Sequence, residues 1–155
     1  MMKRKILAVL SLLLIFSLGW TAAAEAQEMT GDGTGRLWAK GAGYAQVHGH
    51  GVVDIAARGV VTVRVKGADV VRAQGNGRRW DLPDGTILFA GWRGHIHVGG
   101  QELDVRMLGG VIEFTAQGTG WALLKGRGHY RLNGQPGVWT QEGVRIAFSP
   151  VVKSE

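Results

Sequence analysis

Few places in this chain could carry chemistry, and the most pointed is the pair His95-Ile96-His97, followed beyond Gly99-Gly100 by Glu102. Residues two apart on a strand project to the same side, so both imidazoles can reach one ion. If Gly99-Gly100 is a two-residue hairpin turn, His97 faces Glu102 and His95 faces Asp104. Two imidazoles with a carboxylate as third ligand suit a divalent transition metal. The same residues equally suit a solvated outer face, on which histidine and acid pair across strands while Ile96 and Leu103 pack inward.

A second set is basic and aromatic. His50, Arg58 and Lys66 recur every eight residues, as do Arg64 and Arg72, and all share even numbering with Trp38 and Tyr44. Were successive repeats stacked in register, these side chains would form a ladder. Such a ladder suits a polyanion such as an acidic polysaccharide, lipopolysaccharide phosphates or extracellular nucleic acid. Aromatic and basic residues on one face also hold glycans. A solvated face that tolerates its like charges is the plainer alternative.

Other chemistries find little footing. The chain has no cysteine, and its only serines beyond the N-terminal apolar run are Ser149 and Ser154. A nucleophile elbow is absent, so no catalytic residue is assigned. The carboxylates are scattered, and the Gly-x-Gly units lie between strands without the adjoining helix that phosphate binding needs. Trp80, Trp92, Trp121 and Trp139 read as core or rim aromatics.

What must position these residues is a glycine-punctuated β-structure. Gly35, Gly43, Gly51, Gly59, Gly67 and Gly75 fall every eight residues, and Gly-x-Gly pairs accompany them. Between them the alternation has period two: Val53, Ile55, Ala57, Val61, Val63 and Val65 are apolar, with Asp54, Arg58, Thr62, Arg64 and Lys66 interleaved. This pattern specifies half-buried strands, and a glycine in every eight residues disfavours helix. Inward parity survives each glycine from Leu37 to Val71, so the Gly-x-Gly units are three-residue loops, corners or bends within a long curved strand. Hairpin turns are expected at Gly75-Asn76-Gly77, Pro83-Asp84-Gly85, Gly99-Gly100, Gly109-Gly110 and Asn133-Gly134. Beyond Pro83-Asp84-Gly85 the inward residues become even, as in Ile112, Phe114, Ala116, Ala122, Leu124, Tyr130 and Leu132. The expected fold is all-β, a small antiparallel barrel or sandwich of short strands, with a β-solenoid as the alternative.

The histidine segment also resembles the cupin family of metal-binding β-barrels. His95-x-His97, Glu102 and Gly109 match much of one cupin motif, and Gly118, Gly126, His129 and Asn133 match much of the other. The resemblance implies a jelly-roll barrel with His95, His97, Glu102 and His129 as metal ligands. Phe89 and Leu124 replace a motif glycine and proline, and only eight residues separate Gly109 from Gly118, so no family is assigned.

The N-terminus reads as an address. Lys3, Arg4 and Lys5 precede an apolar run from Ile6 to Trp20, and Ala22-Ala23-Ala24-Glu25-Ala26 offers small-x-small cleavage sites. That is the layout of a secretory signal helix, cleaved after Ala26 or, as the alternative, after Ala24, and the run is short of the ~20 residues that span a bilayer. The expected organisation is signal peptide 1–26, flexible linker 27–34, one β-domain 35–149 and tail 150–155. Cleavage takes the formal charge from +6 to +4 and leaves no apolar segment of spanning length. Without disulfides, the domain must hold by burial alone. Two functions stand: a non-catalytic exported β-domain, periplasmic, surface-bound or secreted, that binds an anionic polysaccharide or envelope component or its own copies; and a metal-binding cupin-like protein with an enzymatic role.

Overall fold

The computed structural model describes residues 27–30 and 35–149. The expected signal peptide and tail lie outside the described residues. The described chain is all-β and contains no helix, so none is long and apolar enough to cross a membrane. Its strands are β1 (Gln27–Thr30), β2 (Arg36–Arg58), β3 (Val61–Lys66), β4 (Val70–Asp81), β5 (Ile87–Leu132), β6 (Gln135–Val138) and β7 (Val144–Phe148). β1 lies within the stretch expected as linker.

β5 runs for 46 residues without a break. Straight, it would reach ~150 Å, so it must coil, and the registers say how. β2, β3 and β4 together form one arm of a hairpin and β5 the other, with the turn at Leu82–Thr86. Asp81 pairs with Ile87, Val70 with Gly99, Val61 with Gly109, Ile55 with Phe114 and Leu37 with Leu132. A second set of pairs joins the opposite edges of the same two arms: Val65 with Ile87, Ile55 with Ile96, Val47 with Val105 and Leu37 with Ala116. The two-stranded ribbon is therefore wound so that its outer edges hydrogen-bond from one turn to the next. Phe114 lies between Ala39 and Ile55, and Ile96 between Ile55 and Ala73, so the first arm returns to the same row every 16 to 18 residues.

Glycines make the winding possible. Gly51 pairs with Gly118 at a bend, with φ of +142° and +137°. A side chain on Gly51 would strike the carbonyl oxygen of Gln117, and one on Gly118 that of His50. The eight-residue glycine period is thus half a turn of the coil, and the parity-preserving units are bends within long curved strands.

Three expected turns are corrected. Gly75-Asn76-Gly77 lies inside β4, and Gly99-Gly100 and Gly109-Gly110 lie inside β5. The two Gly-Gly sites are bulged bends: inward positions on β5 are Ile96 and Val98 before the first, Leu103, Val105 and Met107 between them, and Ile112, Phe114 and Ala116 after the second. One extra residue at each bend flips the facing of the rest of the strand. Turns do form at Pro83-Asp84-Gly85, where the Asp84 carboxylate accepts from the Thr86 backbone N–H at 3.0 Å, and at Asn133-Gly134, with φ of +50° and +87°.

Inside the coil the buried side chains form one cluster, with Leu37, Ile55, Phe89, Ile96, Met107, Phe114, Leu124, Tyr130 and Ile146 among its largest members. Each fully buried aliphatic or aromatic contributes about 1.5–3 kcal/mol relative to exposure, which is how a chain without disulfides holds together. Beyond Leu132 the chain returns over the open end of the hairpin. There β6 pairs with His129–Leu132, β7 pairs with Gly120–Leu124, and β1 adds to β7 in parallel.

Candidate functional site

Outward residues align in rows across the strands, and the glycine bends separate two sets of rows. One set, the His97 face, contains Arg72, His97, Asp54, Thr115, Trp38 and Arg131 in succession. The other, the Trp121 face, contains Lys66, Asp104, His48 and Trp121 in one row and Arg64, Arg106, Gln46, Leu123 and Arg145 in the next, with Tyr44 and Lys125 beside them.

The expected metal ligands fall on the outside of the coil and do not converge. His97 Nδ1 lies 2.6 Å from Asp54 Oδ1, an exposed cross-strand pair. His95 stands between Gln74 and Ala56, and His129 between Lys40 and Val138. The strands of Ala56, Glu113 and Lys40 separate the two, a spacing of ~19 Å. Glu102 is exposed beyond the Gly99-Gly100 bend. Because that dipeptide bends the strand instead of reversing it, His97 does not face Glu102, nor His95 Asp104; their strand partners are Asp54 with Arg72 and Ala56 with Gln74. Among the described residues, no three histidine or carboxylate side chains gather as a metal would need. Ile96 and Leu103 do pack inward, as the solvated-face reading expects.

The residues of the expected ladder are shared out between the two faces. Tyr44, Arg64 and Lys66 lie on the Trp121 face; Trp38, Arg58 and Arg72 lie on the His97 face; and His50 sits at the bend between them. Eight residues amount to half a turn, so side chains at that spacing point in opposite directions instead of stacking. On the His97 face the carboxylates are engaged by bases, Asp54 by His97 and Glu113 by Lys40 and Arg58, both at 3.2 Å. A groove there is lined by Arg36, Trp38 and Arg131.

The Trp121 face is built differently. Tyr44 Oη donates to Gln46 Oε1 and Gln46 Nε2 to Asp104 Oδ1, each at 2.9 Å, while Arg106 donates to Asp104 at 2.8 Å. Burial pushes the Tyr44 phenol above its usual range, and the hydrogen bond to Asp104 raises the pKa of the Arg106 guanidinium, so the first stays neutral and the second charged. Beside this network the half-buried Trp121 ring lies 5.5 Å from His48, and the Arg145 guanidinium stands 4.2 Å from its centre. Such a contact uses the flat face of the guanidinium and leaves its N–H edge for a ligand. Five cations, Arg64, Lys66, Arg106, Lys125 and Arg145, stand in these rows with two acidic residues, Asp104 and, in register with Arg145 on β1, Glu28.

His48, Gln46, Asp104, Arg106, Trp121, Lys125 and Arg145 are not singled out by spacing. The signal that finds most of them is the Pro83-Asp84-Gly85 turn: counted outwards as one hairpin, it brings His48 to Trp121 and Tyr44 to Lys125, while Arg145, on β7, lies beyond the reach of that count. No protein-family model, no curated protein and no solved structure matches the chain.

Proposed function

We propose that the protein is an exported, non-catalytic β-domain, its coiled hairpin packed as a small antiparallel sandwich or barrel, that binds an anionic glycan of the envelope or its surroundings through the Trp121 face. The observation that carries this is the Arg145–Trp121–His48 cluster beside the Tyr44–Gln46–Asp104–Arg106 network. The indole holds the Arg145 guanidinium over its face, and that cation with the hydrogen-bonded polar groups beside it can orient an acidic sugar substituent. The surplus of cations attracts carboxylate, sulfate or phosphate substituents, with an affinity that falls as salt rises. Export is supported by the charged start, apolar run and small-residue cleavage site at the N-terminus.

The test is titration of the protein with polygalacturonate, and with neutral dextran as control, at two salt concentrations. Salt-sensitive binding to the acidic polymer alone is expected, with Trp121→Ala and Arg145→Ala each weakening it about tenfold or more. Equal binding by Arg145→Ala, or equal binding of dextran, would remove this face from the reading.

A further inference from the structure

The two arms of the coiled ribbon are hydrogen-bonded on both edges along most of their length, and β4 is the exception. It pairs with β5 along one edge, and among the described residues no strand pairs with the other. That edge is twelve residues long and carries, with the residue just beyond it, three of the exposed large hydrophobics: Val70, Trp80 and Leu82, at 42%, 44% and 40% exposure. A long open edge with apolar side chains is a template for another strand.

The bend in β4 restricts what that strand can be. β4 turns at Gly75-Asn76-Gly77, with φ of +138° and +147° at the two glycines. Elsewhere along the ribbon such bends set glycine against glycine across the strands, as Gly43 with Gly126, Gly49 with Gly120 and Gly51 with Gly118, because a side chain there meets the neighbour's backbone. A strand laid on β4 must bend at the same place; on the turn-to-turn edge glycine meets glycine at Gly43–Gly109 and Gly51–Gly100, while Gly49 faces Leu103 and Gly94 faces Ala57, so glycine suits that place without being the only residue that fits it.

We propose that the partner is β4 of a second copy, antiparallel, in the register that sets Gly75 against Gly77 and Asn76 against its own equivalent. This register is the continuation of the turn-to-turn pairing already present in Val65–Ile87 and Thr62–Ala90. It sets Val70 opposite Leu82, Arg72 opposite Trp80 and Gln74 opposite Arg78, each twice by symmetry. Apolar meets apolar, one guanidinium meets an indole, and no two arginines are directly opposed; Arg79 is already held by Asp81 at 2.8 Å. Shifting by two residues one way opposes Arg72 to Arg78, and the other way opposes Gly75 to Arg79. A two-fold contact of this kind closes on itself and stops at the dimer. The inference is independent of glycan binding, since the Trp121 row lies elsewhere on the coil.

Because the chain has no cysteine, single cysteines read the register cleanly. Cα atoms directly opposed in an antiparallel pair are about 4.5–5.5 Å apart, within disulfide range. The full chain carrying Asn76→Cys should cross-link to a dimer under mild oxidation, while Gln74→Cys should not. Sedimentation of the unmodified chain should show a dimer at about 100 μM, and Val70→Lys with Trp80→Lys should weaken it about tenfold or more. Both side chains are exposed, so the melting of the monomer should be unchanged. A monomer at that concentration, cross-linking of Gln74→Cys as efficient as that of Asn76→Cys, or a dimer indifferent to the lysine pair would each overturn the proposal.

Discussion

The two ends of the coil solve the same problem in different ways. At the open end of the hairpin the chain returns and lays β6 and β7 along the exposed edge, burying Trp139, Val144, Ile146 and Phe148. Trp139 also donates its indole N–H to the His129 carbonyl at 3.2 Å. At the turn end no described strand comes back: β4 has no fully buried side chain, and its inward Val71 and Ala73 are half-exposed. An edge can be finished by the chain's own tail or left for another molecule. The ends differ in whether a returning segment covers the edge, and the strands differ with it: β7 is the apolar Val-Arg-Ile-Ala-Phe, whereas β4 carries three arginines.

The largest effect that separates the ends is core truncation. Ile146→Ala, on β7, should cost about 2–5 kcal/mol in denaturant unfolding, while Val71→Ala on β4 should cost about 1 kcal/mol or less, because its side chain is never fully taken from water. Equal costs would mean that the rim is as well packed as the covered end. Hydrogen exchange sharpens the contrast. In dilute solution the β4 amides should exchange about tenfold or more faster than those of β7, and raising the protein concentration should close the gap if copies pair along β4.

The smallest effect lies at the covered end. Tyr130 is buried, and burial raises its phenol above the ordinary value of 10.0. An unfolded tyrosine ionises near that ordinary value, so the stability attached to a folded phenol of raised pKa is lost at alkaline pH: the unfolded chain releases the proton first. The sign is that of a raised folded pKa, with the contribution complete below the unfolded value and gone as pH rises through the folded one. Tyr130→Phe should flatten the alkaline decline in melting temperature relative to the parent.

Much of the fold could be read from residue order. Val53 to Val65 specify strand by alternation alone, and the eight-residue glycines mark where strands must deform. Gly99-Gly100 shows where such reading stops. A glycine pair is equally suited to a hairpin turn, where it supplies unusual backbone angles, and to a bulged bend, where a side chain on Gly100 would strike the carbonyl oxygen of Gly67, and both alter the facing of the residues beyond them. Treated as a turn, it sets His97 beside Glu102; as the bend it is, it sets His97 beside Asp54. Trp121 illustrates the converse. Its outward facing is legible from Ala122 and Leu124 facing in, but its neighbours His48 and Arg145 come from strands far away in the chain.

Local order thus determined that this protein is made of strands, which side of each strand is apolar, and where each bends. These depend on side-chain alternation and on the steric freedom of glycine, both properties of near neighbours. The tertiary structure decided which outward rows stand together, and therefore which cations, aromatics and carboxylates share a surface. That choice rests on pairing between turns 16 to 18 residues apart. It is fixed by bulges and by glycine meeting glycine across strands, conditions that exist only once the ribbon has wound upon itself.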